Sequence, residues 1–395
     1  MRIFFITSKL NFRTSGGSIE EFDLMIRTLQ ALGNDVTAVT VFSDFNDIPL
    51  PLPYRLIPEH FSAQRLFGIQ AEIFRLLKKY ERKADLFHVD GHLFLYGAGF
   101  YRMMGGRVPV SAFFNRELSG WPENCSSFFP QTSERIFLRI KKKTRWLLER
   151  YIGMPIANHI DIRSTINPFF QAEYEKFGLK RRAGDLIIGD PMDFDTILAD
   201  GGVSEDSYRA RNRYEGPFTI FYSSRMAPQK GFDVLLEGFA RIQNKDQFRL
   251  VLGGSGPEER FVKQKIRDFG LEKYVELTGW VEKELLYELL KKADIFVQAD
   301  WMHFGSSMSL FYAMAFGVPS IVPAGGGLAW GAGGGALTFK PRDPEDLART
   351  IERLAGDRKL RAELSRNCYQ RIREDELNYK KQIGRLYAEM QRFVP

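Results

Sequence analysis

A chain of 395 residues is longer than one hydrophobic core usually supports and is comfortable for two domains. Its hydrophobic content of 44%, its lack of a long apolar run and its two cysteines argue against a membrane-spanning protein and a disulfide framework, and they favour a reducing cytoplasm. The net charge of +7 indicates an anionic partner, but no nucleic-acid recognition motif accompanies it, which leaves a nucleotide phosphate or an anionic membrane surface.

The first half of the chain begins with a strand–helix–strand pattern. The apolar run Arg2–Thr7 predicts a strand rather than a signal peptide, because charged residues soon interrupt it and no cleavage site follows. A polar loop ending in Gly16 and Gly17 leads into a helical pattern over Ser18–Leu32, and Asp35–Phe42 predicts the next strand. Later strands are predicted at Leu86–Val89 and Val108–Phe114. Strands that alternate with helices imply a parallel, doubly wound sheet.

Residues Arg181–Pro217 resemble a domain boundary, because they mix charges with polar residues and show no sustained periodicity. After them the alternation restarts. Strands are predicted at Phe218–Tyr222, Phe248–Leu252, Val275–Leu277, Ile295–Gln298 and Pro319–Val322. Helices are predicted near Phe232–Gln243, Glu258–Phe269, Lys283–Lys291 and Met308–Phe316, and in the charged tail from Asp343 onward. Two doubly wound domains in tandem would place a ligand-binding cleft between the carboxyl ends of their strands.

The turn between the first strand and the first helix of the second half carries the most informative residues. Arg225 and Lys230 lie where the apolar run Phe218–Tyr222 feeds an amphipathic helical segment. Cations at a helix N-terminus suit a diphosphate, because the free N–H groups and the helix dipole already favour anions there. A surface turn with two solvated cations is the alternative interpretation.

Four motifs of the second half follow one another in a recognisable order. They are Ser224–Gly231, Leu250–Glu258, Val275–Val281 and Ser306–Pro319. In sequence and spacing the series resembles the GT4 family of retaining glycosyltransferases, and the Gly16-Gly17 loop and Ile188–Asp193 look like that family too. The resemblance covers nearly the whole chain. It implies an α/β protein with the GT-B fold, in which two Rossmann-like doubly wound parallel-sheet domains face a central cleft.

The same resemblance implies which substrate each domain binds. Residues 1–195 would be the acceptor-side domain, residues 196–377 would bind the nucleotide sugar, and a C-terminal helix at about residues 378–395 is expected to join the first domain. Arg225 and Lys230 would bind the donor's diphosphate, one as a bidentate fork and the other as a point charge. Both would offset the charge on the departing nucleoside diphosphate.

Further donor-binding candidates come from the remaining motifs. Backbone N–H groups of Gly16 and Gly17 would approach the phosphate from the first domain, although such a pair also occurs in ordinary turns. The other candidates implied by the resemblance are Gly254, Ser255, Gly279, Trp280, Ser307, Met308, Ser309, Leu310 and Tyr312. For Trp280, packing is an equally good interpretation.

The chain departs from the family at two acidic positions. Family members carry two carboxylates eight residues apart around the last motif, and Phe304 and Tyr312 stand there in this sequence. Tyr312 offers the donor ribose a phenolic oxygen without charge, and Phe304 can only pack or stack. Asp300 and His303, just upstream, are catalytic candidates that could reach the sugar. A strand-end turn acid and a partly buried histidine are the alternatives for these two residues.

The acceptor side offers weaker candidates. Asn115 and Arg116 follow a predicted strand where family members often carry a histidine that faces the sugar, and Phe304 would line the same pocket. His88 and His92 lie near another strand end and fit either the cleft or the core of the domain. An ordinary strand-end turn is the alternative for Asn115.

Residues Arg135–Tyr151 form a basic amphipathic helical pattern. Basic residues alternate there with isoleucine, leucine and tryptophan. A solvated helix packed on the first sheet is one interpretation, and a peripheral membrane contact is the other. The second fits a lipid-linked acceptor.

We therefore expect a retaining hexosyltransferase that moves a sugar from a nucleotide-diphosphate-sugar donor to a glycan, lipid-linked or small-molecule acceptor. Five histidines without metal-site spacing argue against zinc. For a transferase of this kind we expect no metal or other cofactor. Positioning and phosphate charge stabilisation can support catalysis without the two acids. The alternative is a non-catalytic pseudoenzyme that binds a sugar nucleotide or a glycan as a partner subunit. The expected location is the cytoplasm or the inner membrane face, and nucleic acid is not an expected partner.

Overall fold

The structure is a computed structural model that describes residues 1–12, 17–48, 51–63, 65–115, 143–210, 217–300 and 305–394. These residues form two compact units. The first contains the described residues up to Met192 and those from Asp375 onward, and the second contains Asp193–Glu374. Each unit is built around one parallel β-sheet that helices accompany.

The first unit contains a seven-stranded parallel sheet in the order β3-β2-β1-β4-β5-β6-β7. Its strands are β1 (Arg2–Thr7), β2 (Asp35–Thr40), β3 (Arg55–Pro58), β4 (Leu86–Asp90), β5 (Val110–Phe114), β6 (Ile162–Thr165) and β7 (Leu186–Ile187). All five residues of β5 are buried. Such continuous burial is typical of a parallel strand that has both of its faces covered.

Helices of the first unit follow the strands and return at the end of the chain. They are α1 (Gly17–Ala31), α2 (Leu66–Tyr80), α3 (Leu95–Met103), α4 (residues 143–157, with a π-helical turn at Glu149–Gly153), α5 (Pro168–Phe177) and the last helix of the chain, α15 (Tyr379–Phe393). The last helix packs against α1 and β6. Its apolar residues Ile383, Leu386 and Met390 are buried, which ties the C-terminal segment to the first unit.

The second unit contains a six-stranded parallel sheet in the order β10-β9-β8-β11-β12-β13. Its strands are β8 (Phe218–Ser223), β9 (Phe248–Gly253), β10 (Val275–Gly279), β11 (Ile295–Val297), β12 (Ser320–Pro323) and β13 (Ala336–Phe339). Its helices are α6 (Phe194–Gly201), α7 (Glu205–Ala210), α8 (Phe232–Arg241), α9 (Glu259–Asp268), α10 (Lys283–Lys292), α11 (Met308–Ala315), α12 (Gly326–Ala332), α13 (Pro344–Gly356) and α14 (Arg358–Arg371).

Both sheets share one strand order, which fixes where a ligand site can form. In each unit the first strand lies inside the sheet, with the second and third strands on one side and the later strands on the other. The connections therefore change direction between β1 and β4, and again between β8 and β11. Ligands of open α/β sheets bind at such a switch point, outside the carboxyl ends of the strands. The predicted fold of two Rossmann-like doubly wound parallel sheets is confirmed.

The predicted boundary segment Arg181–Pro217 proves richer in structure than its composition indicated. It contains β7 and the short helices α6 and α7. The Asp193 side chain accepts a hydrogen bond from Thr196 N, in the first turn of α6, at 3.2 Å, and Gly202 ends this helix in the left-handed conformation (φ 62°). Among the described residues, no helix is both long and apolar enough to cross a membrane.

Candidate active site

Arg225 lies in the loop that follows β8, at the carboxyl edge of the second sheet. Its side chain is exposed and makes no hydrogen bond or ion pair with the described residues. The next two residues, Met226 and Ala227, are 1% and 4% exposed. Their burial anchors the loop, so the guanidinium extends from a fixed piece of backbone into solvent. Such a cation keeps its full charge available for an anionic ligand.

Lys230 ends the short 3₁₀ turn Pro228–Lys230 and is held by a buried carboxylate. Its Nζ donates to Asp300 Oδ2 at 2.7 Å, and the Asp300 side chain is only 4% exposed. The Tyr222 hydroxyl lies 2.7 Å from Asp300 Oδ1 and 2.9 Å from the Lys230 carbonyl oxygen, and it can donate to either. Burial, and then the charge of Asp300, raises the pKa of Tyr222 well above its usual range. The hydroxyl therefore stays protonated and keeps donating.

The glycine-rich loop after β9 supports the Arg225 loop directly. A Cβ on Gly254 (φ 117°) would lie 1.9 Å from the Ser224 carbonyl oxygen, and one on Gly256 would lie 2.5 Å from that of Met226. Met226 N in turn donates to the Ser255 carbonyl oxygen at 2.8 Å. Only glycine permits this backbone-to-backbone approach. The observed partner of these glycines is thus the Arg225 loop.

The turn after β10 lies next to the glycine-rich loop at the carboxyl edge of the second sheet. Gly279 has φ 70°, and its carbonyl oxygen accepts a hydrogen bond from Gly254 N at 2.6 Å. Trp280 is 49% exposed, and its indole N–H donates to Glu282 Oε1 at 3.0 Å. This hydrogen bond leaves much of the indole open to solvent, so the ring is available to stack against a flat ligand.

Helix α11 begins at the same edge, because it follows β11. Ser307 occupies its N-cap position without a side-chain cap, and Met308 and Ser309 form its half-buried first turn. Free N–H groups at such a helix start favour an anion. Leu310 is fully buried and serves the core. Tyr312 is half-buried, with its ring 6.1 Å from that of Tyr287.

His88 and His92 are core residues of the first unit. His88 is fully buried in β4, its Nδ1 lies 3.0 Å from Ser111 Oγ, and its ring packs 4.1 Å from that of Phe5. Burial lowers the pKa of His88 to about 3, so the ring is neutral. His92 is 5% exposed, and Tyr96 and Tyr174 contact its two ring nitrogens at 3.1 and 3.3 Å. Of the two alternatives left open by the sequence, the structure favours the core role.

Asn115 lies at the carboxyl edge of the first sheet. Its Nδ2 donates to Asp90 Oδ1 at 3.4 Å, while its own Oδ1 is buried without a hydrogen-bond partner. Gly17 begins helix α1 in the same unit. The candidates Gly16, Arg116, His303 and Phe304 lie outside the described residues. The part of the chain that the structure describes contains no group of three or more His, Cys, Asp or Glu side chains that could hold a metal ion.

The edge of the second sheet thus combines an exposed guanidinium, a fixed ammonium group, an uncapped helix start and an exposed indole. The first three attract a doubly charged phosphate group, and the indole offers a stacking surface for a base. Residues 203–371 match the family model of glycosyl transferases group 1. This match, called the group 1 region below, covers less than half of the chain.

Curated sequence relatives include a sugar-phosphate synthase and a protein named as a glycosyltransferase. The mannosylfructose-phosphate synthase of Agrobacterium fabrum is 31% identical over 206 residues, which are 49% of this chain and 44% of the relative. An uncharacterized glycosyltransferase of Methanocaldococcus jannaschii is 26% identical over 39% of this chain and 40% of its own. The chain therefore spans less than half the length of these curated relatives.

Solved structures resemble the whole chain. A sucrose-phosphate synthase from Thermosynechococcus elongatus aligns with TM-score 0.74 and 20% identity over 99% of both chains. The Anabaena protein HepE, in complex with UDP, aligns with TM-score 0.72 and 16% identity over 99% of this chain and 100% of its own. At these identities the likeness concerns the fold, and it confirms that the group 1 region lies within a GT-B architecture.

Tyr222 is the site residue that sequence reasoning missed. The apolar pattern assigns Tyr222 to the strand before the cationic turn, and it gives no sign that the hydroxyl contacts Asp300 and the Lys230 carbonyl oxygen. The signal was its position at the carboxyl end of a strand, where an aromatic hydroxyl can reach the ligand edge. Asp300 was named as a catalytic candidate, but both of its carboxylate oxygens have partners, Tyr222 and Lys230. This geometry fits a group that positions the lysine.

Proposed function

We propose that the chain is a retaining glycosyltransferase that takes a sugar from a nucleotide-diphosphate donor without a metal ion. The observation that carries the proposal is the exposed guanidinium of Arg225, which has no ion-pair partner among the described residues at the switch-point edge. A diphosphate leaving group develops charge as the glycosidic bond breaks. Preorganised cations stabilise that charge more in the transition state than in the ground state.

Each group has a distinct part in this proposal. Arg225 donates two N–H groups to the diphosphate, Lys230 adds a point charge, and the N-terminus of α11 contributes free N–H groups. Trp280 stacks on the base, and Tyr312 offers a hydroxyl to the ribose. With aromatic residues at positions 304 and 312, phosphate charge stabilisation by Arg225 and Lys230 carries more of the rate acceleration.

Asp300 acts on the lysine rather than on the sugar. Its carboxylate is buried and receives Lys230 on one oxygen and Tyr222 on the other. A lysine has a flexible four-carbon stem, so an unpartnered Lys230 would sample many positions. The Asp300 contact fixes the ammonium group at the edge before the donor binds, which lowers the entropic cost of binding.

The decisive experiment separates a transferase from a pseudoenzyme. UDP is the first probe, because HepE was solved in complex with UDP. A thermal-shift screen of the full chain against nucleoside diphosphates and their sugars identifies the base, and a saturating ligand raises stability by roughly 2.7 kcal/mol at 100 times its dissociation constant. Turnover of a radiolabelled donor, by transfer or by slow hydrolysis, then supports the enzyme. Nucleotide binding without any turnover of the matching donors supports the pseudoenzyme.

An apolar groove of the first unit supports a second proposal, contact with an anionic membrane surface. A cavity of about 450 Å³ lies between α2, α3 and α4, and its lining includes the exposed residues Phe67, Phe100 and Ile152. On α4, Tyr151 is 64% exposed and Arg150 contacts its ring. Apolar groups beside cations are what binds an anionic lipid surface.

Vesicle sedimentation tests this contact. Wild-type chain should bind phosphatidylglycerol vesicles at low salt and release at high salt, and Ile152→Glu should bind less. Leu285→Glu is the matched control, because Leu285 is similarly exposed (42%) on a helix of the second unit. Equal binding by the two variants would refute the groove as the contact.

A further inference from the structure

A second cavity lies at the carboxyl ends of β1, β2 and β3 in the first unit, on the far side of β1 from the switch point. Its volume is about 570 Å³, which is within the range of small-molecule sites. Residues that immediately follow the three strands line it, among them Ser8, Lys9, Phe42, Asp44, Phe45 and His60. No motif of the sequence pointed to it, and the proposed donor chemistry does not use it.

Hydrogen bonds tie the three loops into a preformed wall. Phe42 N donates to the Ser8 carbonyl oxygen and Phe61 N donates to that of Val41, each at 2.8 Å. The Asn46 side chain accepts from Leu10 N at 2.9 Å. The rings of Phe42 and Phe61 pack edge to face at 6.1 Å. Little rearrangement is therefore needed before a ligand binds.

The lining combines an aromatic face with both donors and acceptors. Phe45 is 62% exposed, and Lys9 Nζ lies 5.7 Å from the centre of its ring. Lys9 makes no ion pair with the described residues, so its N–H groups are available. Asp44 and His60 contact each other at 2.9 Å between Oδ2 and Nδ1, with both side chains more than half exposed.

We propose that this cavity, which we call the loop pocket, binds a neutral saccharide ring of the acceptor. A sugar presents a C–H face to Phe45, and its hydroxyls both donate and accept, which matches Asp44 together with Lys9. A phosphate is a poorer ligand, because the Asp44 carboxylate would repel it. A hydrocarbon chain is poorer too, because it would remove Lys9 and Asp44 from water without offering them hydrogen bonds. The inference rests on the proposed transfer reaction, because a saccharide held here would be its acceptor.

Saccharide binding is measured on the full chain without any donor. Saturation-transfer difference NMR uses a panel of neutral mono- and disaccharides and their phosphorylated counterparts. At least one neutral saccharide should bind, and Phe45→Ala should weaken it about threefold to tenfold, as expected for loss of an aromatic contact. Phe393→Ala removes an exposed ring (40%) on the last helix of the same unit, outside both cavities, and should leave the affinity unchanged. Asp44→Asn and Lys9→Met should each weaken binding.

The outcomes separate this inference from the proposed transfer reaction. No binding of any neutral saccharide, stronger binding of the phosphorylated forms, or equal losses in Phe45→Ala and Phe393→Ala would overturn the loop pocket. None of these results would contradict the proposal that the second unit binds a nucleotide. If turnover is found, Phe45→Ala should raise KM for the acceptor and leave kcat and the donor KM unchanged. A fall in kcat alone would contradict a binding role.

Discussion

The two sheets share a strand order but differ in the chemistry of their switch points. In the second unit the edge presents the free cation Arg225 and the fixed cation Lys230. In the first unit the corresponding edge is acidic: Thr7 Oγ1 donates to Asp90 Oδ2 at 3.4 Å, and Glu21 lies nearby. Removal from water, and then the neighbouring carboxylates Asp190 and Asp90, raises the pKa of Glu21 well above its usual range.

This difference shows that topology selects the location of a site and side chains select its ligand. A diphosphate would be stabilised by the cations of the second edge, whereas at the first edge the Asp90 carboxylate would repel it. The phosphate contact predicted for the first domain uses backbone N–H groups of Gly16 and Gly17 and not a side-chain cation. A neutral polyol has no such conflict with carboxylates. The charge contrast therefore agrees with a donor diphosphate bound mainly by side chains of the second unit.

The largest expected effect comes from removing the free cation. Arg225→Ala should reduce transfer at least about 100-fold and abolish detectable binding of the nucleoside diphosphate, because the bidentate charge partner of the leaving group is lost. Isothermal titration with UDP and a labelled-donor assay measure the two effects. Arg249→Ala is the control, because Arg249 forms an exposed ion pair with Glu276, which contributes little free energy. If Arg225→Ala binds UDP as tightly as the wild type does, the cations of the second unit do not explain donor binding.

The glycine-rich loop gives the next effect. Gly254→Ala should lower the free energy of unfolding by about 3 kcal/mol, because its Cβ would meet the Ser224 carbonyl oxygen at 1.9 Å in a backbone conformation that disfavours alanine. Gly270→Ala is a matched control: Gly270 also has a positive φ (62°), but a Cβ there meets nothing within 4 Å. Urea unfolding should separate the two variants clearly. Similar urea midpoints for the two variants would mean that the loop accommodates the added Cβ at position 254 without loss of stability.

A pH experiment tests the buried character of His88. Its folded-state pKa is about 3 and its ordinary value is 6.5, so the unfolded chain binds the proton first as the pH falls. Stability should therefore be complete above pH 6.5 and decline below it, by roughly 2 kcal/mol at pH 5 from this residue. His88→Phe should lose less stability than wild type over that interval. If the stability of His88→Phe has the same pH dependence as that of the wild type, and the variant also loses transfer at pH 8, then His88 contacts the substrate instead.

Sequence patterns predicted the local parts of the site well. The strand Phe218–Ser223, the cationic turn and helix α8 arise from contacts between near neighbours, whose apolar spacing and turn residues are visible in the sequence. The short helices α6 and α7 were missed. The buried residues Phe194, Ile197, Leu198 and Gly201 of α6 do follow helical spacing, but eight residues cover only two turns and stand within a polar segment. Strands β3, β6, β7 and β13 were missed as well, because each has at most four residues, and in β13 only one of the four is buried.

Contacts between distant residues could not be predicted in the same way. The hydrogen bonds of Asp300 reach Lys230 and Tyr222 across 70 and 78 positions, and they form only because β11 pairs with β8 in a particular register. The loop pocket likewise combines residues that follow three separate strands. In both cases the sheet order determines which strand ends meet, and a single sequence does not display that order.

The smallest expected effect concerns Tyr222, the residue that joins the turn to Asp300. Tyr222→Phe removes one buried donor from Asp300 and the Lys230 carbonyl, so stability should fall by about 1 kcal/mol and UDP affinity by about fivefold. The acceptor KM should not change, because the loop pocket lies in the other unit. Tyr274→Phe removes an exposed hydroxyl contact with Asp246 and serves as the control. If UDP affinity is unaltered in Tyr222→Phe while stability falls, Lys230 holds its position without the tyrosine, and Asp300 alone accounts for the fixed cation.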